Sequence, residues 1–231
     1  MSMETQLRIS ALSTLLEYVL LPPACCLCGL RAPGRGLDVC ALCRESLPLS
    51  SGQPSHLRAP DSVLKAFDRI VIPYVYRYPV DELVRGLKFR GERRYGRLLG
   101  TLIAAEHARS GAEAPALLVP LPLHHSRLRS RGFNQAHVIA AHAGAALGVP
   151  VESSALVRVR TTSEQSRLGP GQRQLNVLGA FAAQRRLGCG RIALVDDVVT
   201  TGSTAREAAL CLRGAGATRV ELWAAAQVPH T

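Results

Sequence analysis

The sequence predicts an α/β protein: a parallel sheet flanked by helices, preceded by a small cysteine-rich element. From residue 117 onward, short apolar runs alternate with segments of helical periodicity. One of these runs ends in two adjacent acids and a loop of small residues, and two closely spaced cysteine pairs lie near the N-terminus. The length of 231 residues fits one domain with a small appendage, and 47% hydrophobic and 19% charged residues exclude a disordered or collagen-like chain.

The first 21 residues have apolar side chains at helical spacing. The apolar run over residues 9–21 contains Glu17 and is shorter than the ~20 residues that cross a bilayer. The Pro-Pro-Ala sequence that follows is a poor signal-peptide cleavage site. We therefore expect an amphipathic helix over residues 1–21, no membrane span and a cytoplasmic location.

Four cysteines form two CxxC pairs with 11 residues between them. A tight CxxC turn can place two thiolates about 2.3 Å from one tetrahedral zinc ion, and a second such turn closes the site. We therefore predict a structural zinc element over residues 22–50, with Cys25, Cys28, Cys40 and Cys43 as ligands. Cys26 is an alternative ligand. The alternative to zinc is a set of reduced or disulfide-linked cysteines, and disulfides are disfavoured in the cytosol.

A Ser-, Pro- and Gly-rich linker over residues 47–60 leads to the main domain, residues 61–231. Residues 70–78 are strand-like, and Pro73 within them indicates an edge or irregular strand. Residues 80–108 have helical periodicity, and we expect Gly91 and Gly96 to divide them into two helices. Further along, we expect strands over 117–121, 151–158, 192–195 and 220–226, and helices over about 133–147 and 203–214.

Residues 191–204 carry the clearest functional signal. Four apolar residues form a strand that ends at Asp196 and Asp197, and a loop of small residues then opens a helix. In a parallel sheet, ligands bind above the carboxyl ends of the strands. The loop offers N–H groups and hydroxyls to a phosphate at a helix N-terminus, and the acids can hold a polyol or a metal ion. These features indicate a site for an activated sugar phosphate; the alternative is a βα unit with an N-capping hydroxyl and incidental acids.

This motif resembles the 5-phosphoribosyl-1-diphosphate (PRPP) motif of type I phosphoribosyltransferases. The resemblance implies the type I phosphoribosyltransferase fold, with PRPP and Mg²⁺ as ligands. It implies that Asp196 and Asp197 are the catalytic acids, which bind the ribose hydroxyls, and that the loop binds the 5′-phosphate. The implied loop residues are Thr200, Thr201, Gly202, Ser203 and Thr204.

A second resemblance covers nearly the whole chain, because seven blocks follow one another in order. They lie at residues 22–29, 87–91, 119–124, 127–136, 160–165, 173–176 and 179–181. Together with the sugar-phosphate motif, this order resembles the ComF family, competence protein F and its relatives. The resemblance implies a zinc element joined to a phosphoribosyltransferase fold, and a connection with the uptake of transforming DNA. Leu21 departs from the family pattern, where many relatives have an aromatic residue, and we expect no functional consequence.

The positive charge is concentrated in one stretch of the chain. The net charge is +11, and residues 116–186 hold nine basic and two acidic side chains, which implies an anionic partner. We expect Arg127, Arg129 and Arg131 to bind the diphosphate of PRPP, because guanidinium groups bind phosphate in a bidentate way. His124 and His125 either donate hydrogen bonds there or are ordinary surface histidines.

Two further segments can be interpreted either as ligand-binding or as ordinary structural features. Residues 160–176 are long for an inert connection, so they form either a lid over the substrate or a solvated loop. The candidate lid residues are Thr162, Gln165, Arg173 and Asn176. A basic patch after Tyr74, Tyr76 and Tyr78 suits single-stranded nucleic acid, or it is a solvated helix beside packed tyrosines. The candidate nucleic-acid contacts are Lys88, Arg90, Arg93 and Arg94.

Two functions from different classes follow from these observations. The first is a PRPP-binding protein that handles single-stranded DNA together with the DNA-uptake machinery. The second is a phosphoribosyltransferase enzyme that transfers phosphoribose to an unidentified base or other acceptor. A salvage enzyme for a purine or pyrimidine is less well supported, because no clear base-recognition segment follows Thr204.

Overall fold

The computed structural model of the protein describes residues 24–32, 38–50, 60–160, 177–188 and 190–229. The chain divides into two compact units, residues 1–47 and residues 48–231. The expected helix over residues 1–21 lies outside the described residues, and so do the candidate lid residues Thr162, Gln165, Arg173 and Asn176. Within the described ranges, no helix combines the length and the apolar character that a membrane span requires.

Two tight turns organise the first unit. Ala24 and Arg31 form an antiparallel bridge, and Gly29 between them has φ +75°, a conformation that glycine adopts without strain. Helix α1 (Ala41–Glu45) begins directly after Cys40, whose sulfur accepts a hydrogen bond from the backbone N–H of Cys43. Each CxxC pair therefore lies in or beside a tight turn, as the spacing predicts.

The second unit alternates strands with helices. In chain order its elements are α2 (Asp61–Leu64), β1 (Arg69–Val71), β2 (Tyr74–Val75), α3 (Val80–Arg90), α4 (Arg93–Arg109), β3 (Leu117–Pro120), α5 (His125–Arg131), α6 (Gln135–Leu147), β4 (Leu156–Arg158), β5 (Phe181–Ala183), β6 (Arg191–Val199), α7 (Ser203–Gly214) and β7 (Arg219–Gln227).

The strands form a parallel sheet in the order β1–β7–β6–β3, and β2 pairs with β7 beyond β1. In the register of the sheet, Val195 of β6 lies between Trp223 of β7 and Pro120 of β3. The short strands β4 and β5 pair with each other in an antiparallel way. The predicted parallel sheet is confirmed, and Pro73 does interrupt the strand-like run, as expected.

Helices cover both faces of the sheet. On one face, His107 of α4 lies against Trp223 of β7, with 4.6 Å between the ring centroids. On the other face, Ala208 and Leu212 of α7 share a hydrophobic core with Leu222 of β7. Because successive strand residues point to opposite faces, the neighbours Leu222 and Trp223 separate these two layers. The sheet is therefore flanked by helices on both sides, as the sequence predicts.

Three sequence-based expectations differ from the structure. Helix α3 does end at Gly91, but Gly96 lies inside α4, so the predicted break there is wrong. A Cβ atom at Gly96 would lie 2.6 Å from Cγ1 of Val138 in α6, so this glycine permits close helix packing. The strand predicted at 192–195 runs on to Val199, past the two acids, and the strand predicted at 151–158 is regular only from Leu156.

Candidate functional site at the carboxyl edge of the sheet

Two adjacent acids lie near the carboxyl end of the central strand β6. Asp196 is half-buried and Asp197 is buried. Nζ of Lys88, from α3, lies 2.8 Å from Oδ1 of Asp197 and neutralises that carboxylate. The backbone N–H of Asp197 donates a hydrogen bond of 2.8 Å to Oδ1 of Asp196. Burial and the neighbouring charge of Asp197 raise the pKa of Asp196 to about 7, so this carboxyl is substantially protonated at neutral pH.

The loop that follows the acids turns the chain sharply into α7. Gly202 has φ +70°, the left-handed region that glycine favours, and it precedes the first residue of the helix. The hydroxyls of Thr201 and Ser203 share a hydrogen bond of 3.1 Å. The first N–H groups of a helix have no partner within the helix, and its N-terminus carries partial positive charge. The loop therefore has the chemistry of a phosphate site.

The acids and the loop line one cavity of about 480 Å³. That volume is in the range of small-molecule sites. All five predicted loop residues, Thr200, Thr201, Gly202, Ser203 and Thr204, line it together with Asp196 and Asp197. The structure thus brings together every residue of the predicted sugar-phosphate motif.

The same cavity is lined by four basic side chains. Arg127 and Arg131 come from α5, Arg158 from β4 and Lys88 from α3. Burial, together with the charge of Arg127, lowers the pKa of both Arg131 and Arg158. Like charges held this close favour an anionic ligand, which would relieve their repulsion. Arg129 is exposed and outside the cavity lining, so only two of the three predicted diphosphate arginines reach the site.

Sequence reasoning missed several cavity residues. It assigned Lys88 to the nucleic-acid patch, whereas Lys88 pairs with Asp197 inside the cavity. Gln135 is buried and lines the cavity, and its Nε2 has no hydrogen-bond partner among the described residues. Arg158 lies at the end of a predicted strand within the basic stretch, which is the signal that could have identified it. Gln135 lies in the resemblance block 127–136, which is its only sequence signal.

The remaining candidates have local structural partners. His124 is buried and caps α5, where its Nδ1 accepts a hydrogen bond from the backbone N–H of Ser126. Burial and the charge of nearby His125 lower the pKa of His124. Arg90, Arg93 and Arg94 are exposed. Their partners are Glu82 for Arg90 (3.7 Å), Glu92 for Arg94 (2.9 Å) and the ring of Phe133 for Arg93.

In the first unit, the predicted metal ligands lie together. The sulfur atoms of Cys25, Cys28, Cys40 and Cys43 are all within 4.8 Å of one another, and 3.7 Å separates those of Cys28 and Cys40. Four sulfurs bound tetrahedrally at about 2.3 Å from zinc would lie about 3.8 Å apart. The donor set and its spacing therefore fit a closed, structural zinc site, and Cys26 is outside the cluster.

Fold and site define an α/β protein whose cavity combines an acid pair, a helix N-terminus and basic side chains at the carboxyl edge of a parallel sheet. No family model matches the chain. Competence protein F of Haemophilus influenzae is 31% identical over 169 residues, covering 70% of this chain and 74% of that protein. DNA utilization protein YhgH of Escherichia coli is 31% identical over 217 residues, covering 87% and 96%. The chain belongs to the ComF family.

Competence protein ComFC of Bacillus subtilis is also similar, with 31% identity over 180 residues that cover 78% of this chain and 69% of that protein. Among solved structures, a glutamine PRPP amidotransferase from Bacillus subtilis, complexed with ADP and GMP, covers 54% of this chain and 24% of that chain. Its identity is 23% and its TM-score is 0.35, a likeness that carries no argument about this chain.

We expect the purified chain to hold about one zinc ion, because four thiolates can close one tetrahedral site. Substitution of Cys43→Ser should lower the zinc content to near zero and destabilise the first unit, since metal binding stabilises such small elements. Cys26→Ser is the matched control and should retain the metal, because Cys26 lies outside the cluster. Metal analysis by atomic emission measures both variants; full zinc content in Cys43→Ser would contradict the assignment.

Asp196→Asn should stabilise the ligand-free protein considerably more at pH 8 than at pH 5. The pKa of Asp196 is about 7 in the folded chain, compared with about 3.9 when unfolded, so the folded protein loses stability as pH rises from about 4 to about 7 and no further above that. Asparagine does not titrate, and we expect the melting temperature of the variant to exceed that of the parent protein by roughly 10 °C at pH 8 and by less than half of that at pH 5.

Asp68→Asn is the control for this pH dependence. Burial alone would raise the pKa of Asp68, but hydrogen bonds from the backbone N–H of Val220 and from Arg213 lower it. Its stabilising effect is therefore complete above pH 4 and is lost only in stronger acid. Asp68→Asn should lower the melting temperature equally at pH 5 and pH 8. An equal effect of Asp196→Asn at both pH values would exclude the raised pKa.

Proposed function

We propose that this protein binds PRPP or a related phosphorylated ribose, with Mg²⁺, in the cavity at the carboxyl edge of the sheet. We propose further that this binding serves the handling of single-stranded DNA during DNA uptake. The observation that carries the first part is the cavity itself, in which the acid pair, the α7 N-terminus and the basic side chains face one another. The second part is supported by two relatives, whose names are competence protein F and DNA utilization protein.

Each group of residues has one role in this proposal. The loop over residues 200–204 holds the 5′-phosphate through N–H groups and hydroxyls. Asp196 and Asp197 hold the ribose hydroxyls, and Arg127, Arg131 and Arg158 hold the diphosphate. The acid pair also suits Mg²⁺, which binds carboxylate and phosphate oxygens and, when bound, supplies positive charge to the diphosphate.

In the ligand-free site the charges of the two acids are compensated by the protein itself, so ligand binding has to change that compensation. Lys88 neutralises Asp197 through their 2.8 Å contact, and Asp196, whose pKa is about 7, is only partly ionised at neutral pH. Ribose hydroxyls and a cation beside Asp196 favour its ionised form. Binding near pH 7 therefore releases a proton, and affinity rises with pH until Asp196 is fully ionised.

The second candidate function is phosphoribosyl transfer to an unidentified base or other acceptor. The cavity supports it as well as it supports binding alone, because the site that orients PRPP also neutralises the diphosphate that leaves. The two functions differ in one measurable product, free diphosphate. A binding protein retains intact PRPP, whereas a transferase releases diphosphate once its acceptor is added.

The first test is calorimetric titration of the zinc-loaded protein with PRPP and Mg²⁺, followed by phosphorus NMR. We expect binding without diphosphate release when no acceptor is present. The double substitution Asp196→Asn with Asp197→Asn should weaken binding at least tenfold, because it removes both carboxylates from the ribose. The control Asp61→Asn changes an exposed acid of α2 and should bind like the parent protein. Absence of binding by the parent protein would overturn the proposal.

A second test measures the salt dependence of single-stranded DNA binding by fluorescence anisotropy. Arg90, Arg93 and Arg94 are exposed at the end of α3 and the start of α4. If all three contact phosphates, replacing them with alanine should reduce the slope of log K against log salt by about 2. The matched control replaces three other exposed arginines, Arg109, Arg186 and Arg219, and keeps the same net charge. Equal slopes in the two variants would exclude these three arginines as contacts of the DNA phosphates.

A further inference from the structure

Phe89 is an unburied aromatic residue at a functional cavity. Its side chain is 74% exposed, yet it lines the same cavity as Asp196 and Asp197. The ring lies on α3 directly after Lys88, which pairs with Asp197. Burial of apolar side chains stabilises the fold, and on α3 the buried side chains include those of Leu83, Val84 and Leu87 but not that of Phe89. Phe89 therefore contributes little to the core, and its ring is available to a ligand at the mouth of the cavity.

Arg131 connects this ring with the anion-binding side of the cavity. The guanidinium carbon of Arg131 lies 5.6 Å from the centroid of the Phe89 ring, a cation–π distance. Arg131 also lines the cavity, beside Arg127. The contact limits the positions that the ring can take, because Arg131 is half-buried on α5. An aromatic surface and a phosphate-binding cation are thus held next to each other.

We propose that Phe89 is a stacking surface for a nucleobase, and that the cavity accepts a nucleoside 5′-monophosphate. The inference rests on the proposed function, because it uses the phosphoribose site for the sugar and the 5′-phosphate. The base then extends towards the mouth of the cavity and stacks on the ring of Phe89. Every base has an aromatic face, so a surface of this kind binds both purines and pyrimidines. We expect purines to bind more tightly, because their ring system is larger.

The test is calorimetric titration of the zinc-loaded full chain with three probes: AMP, UMP and ribose 5-phosphate. Phe89→Ala should weaken AMP and UMP on the order of tenfold, the usual effect of losing one base-stacking ring. It should leave ribose 5-phosphate unchanged, because that probe carries no base. Phe89→Tyr keeps the ring and should retain the affinity for both nucleotides. The matched control is Leu128→Ala, which removes another exposed apolar side chain, outside the cavity lining.

The outcomes separate this inference from the proposed function. Unchanged AMP and UMP affinity in Phe89→Ala would overturn the stacking surface, and so would an equal loss for ribose 5-phosphate. Failure of PRPP with Mg²⁺ to bind the parent protein, in the titration described above, would overturn the proposed function instead. In that case, AMP binding that still depends on the Phe89 ring would uphold the stacking surface alone. Thermal melting of both alanine variants controls for folding, and we expect no change because both side chains are exposed.

Discussion

The site depends on two carboxylates near the carboxyl end of the central strand, of which Asp197 is buried and Asp196 is half-buried. Placing Asp196 and Asp197 there is unfavourable unless their charges are compensated, because buried ions lose their hydration. The structure compensates them in two different ways: the ammonium group of Lys88 lies 2.8 Å from Asp197, and the raised pKa of Asp196, about 7, leaves that carboxyl substantially protonated at neutral pH. The charge that remains open to a ligand is therefore mainly positive, from the arginines around the acids. This explains why a cavity that contains two acids suits an anionic ligand.

This compensation also constrains the fold. Lys88 reaches β6 only because α3 packs its apolar face inward through Leu83, Val84 and Leu87, which are all fully or almost fully buried. The sheet places the acids and the α7 N-terminus at one edge, and α5 and β4 supply the arginines. Of these elements, only β6 and α7 follow each other directly in sequence. The 191–204 motif therefore supplies the acids and the loop, whereas tertiary packing brings Lys88 and the arginines to them.

The sequence predicted the parts of the molecule that depend on local patterns. Strand β7 and helix α7 have the predicted positions to within a residue, because their apolar spacing is regular. The four cysteines also cluster as their spacing indicates, since a CxxC turn is a local structure. Gly96 shows where local rules fail: glycine usually weakens a helix, but here the contact with Val138 of α6 determines its role. The sequence did not identify Lys88 and Gln135 as cavity residues for the same reason: only tertiary contacts bring them to the cavity.

Three consecutive side chains in the last turn of α3 lie in three different environments. Lys88 pairs with the buried Asp197, Phe89 lines the cavity while remaining largely exposed, and Arg90 is exposed to solvent. Successive residues of a helix point about 100° apart, so three consecutive side chains sweep from the interior to the surface. Residues 87–90 of the block at 87–91 therefore form one helical turn, and its side chains reach the core, the acid pair, the cavity and the solvent.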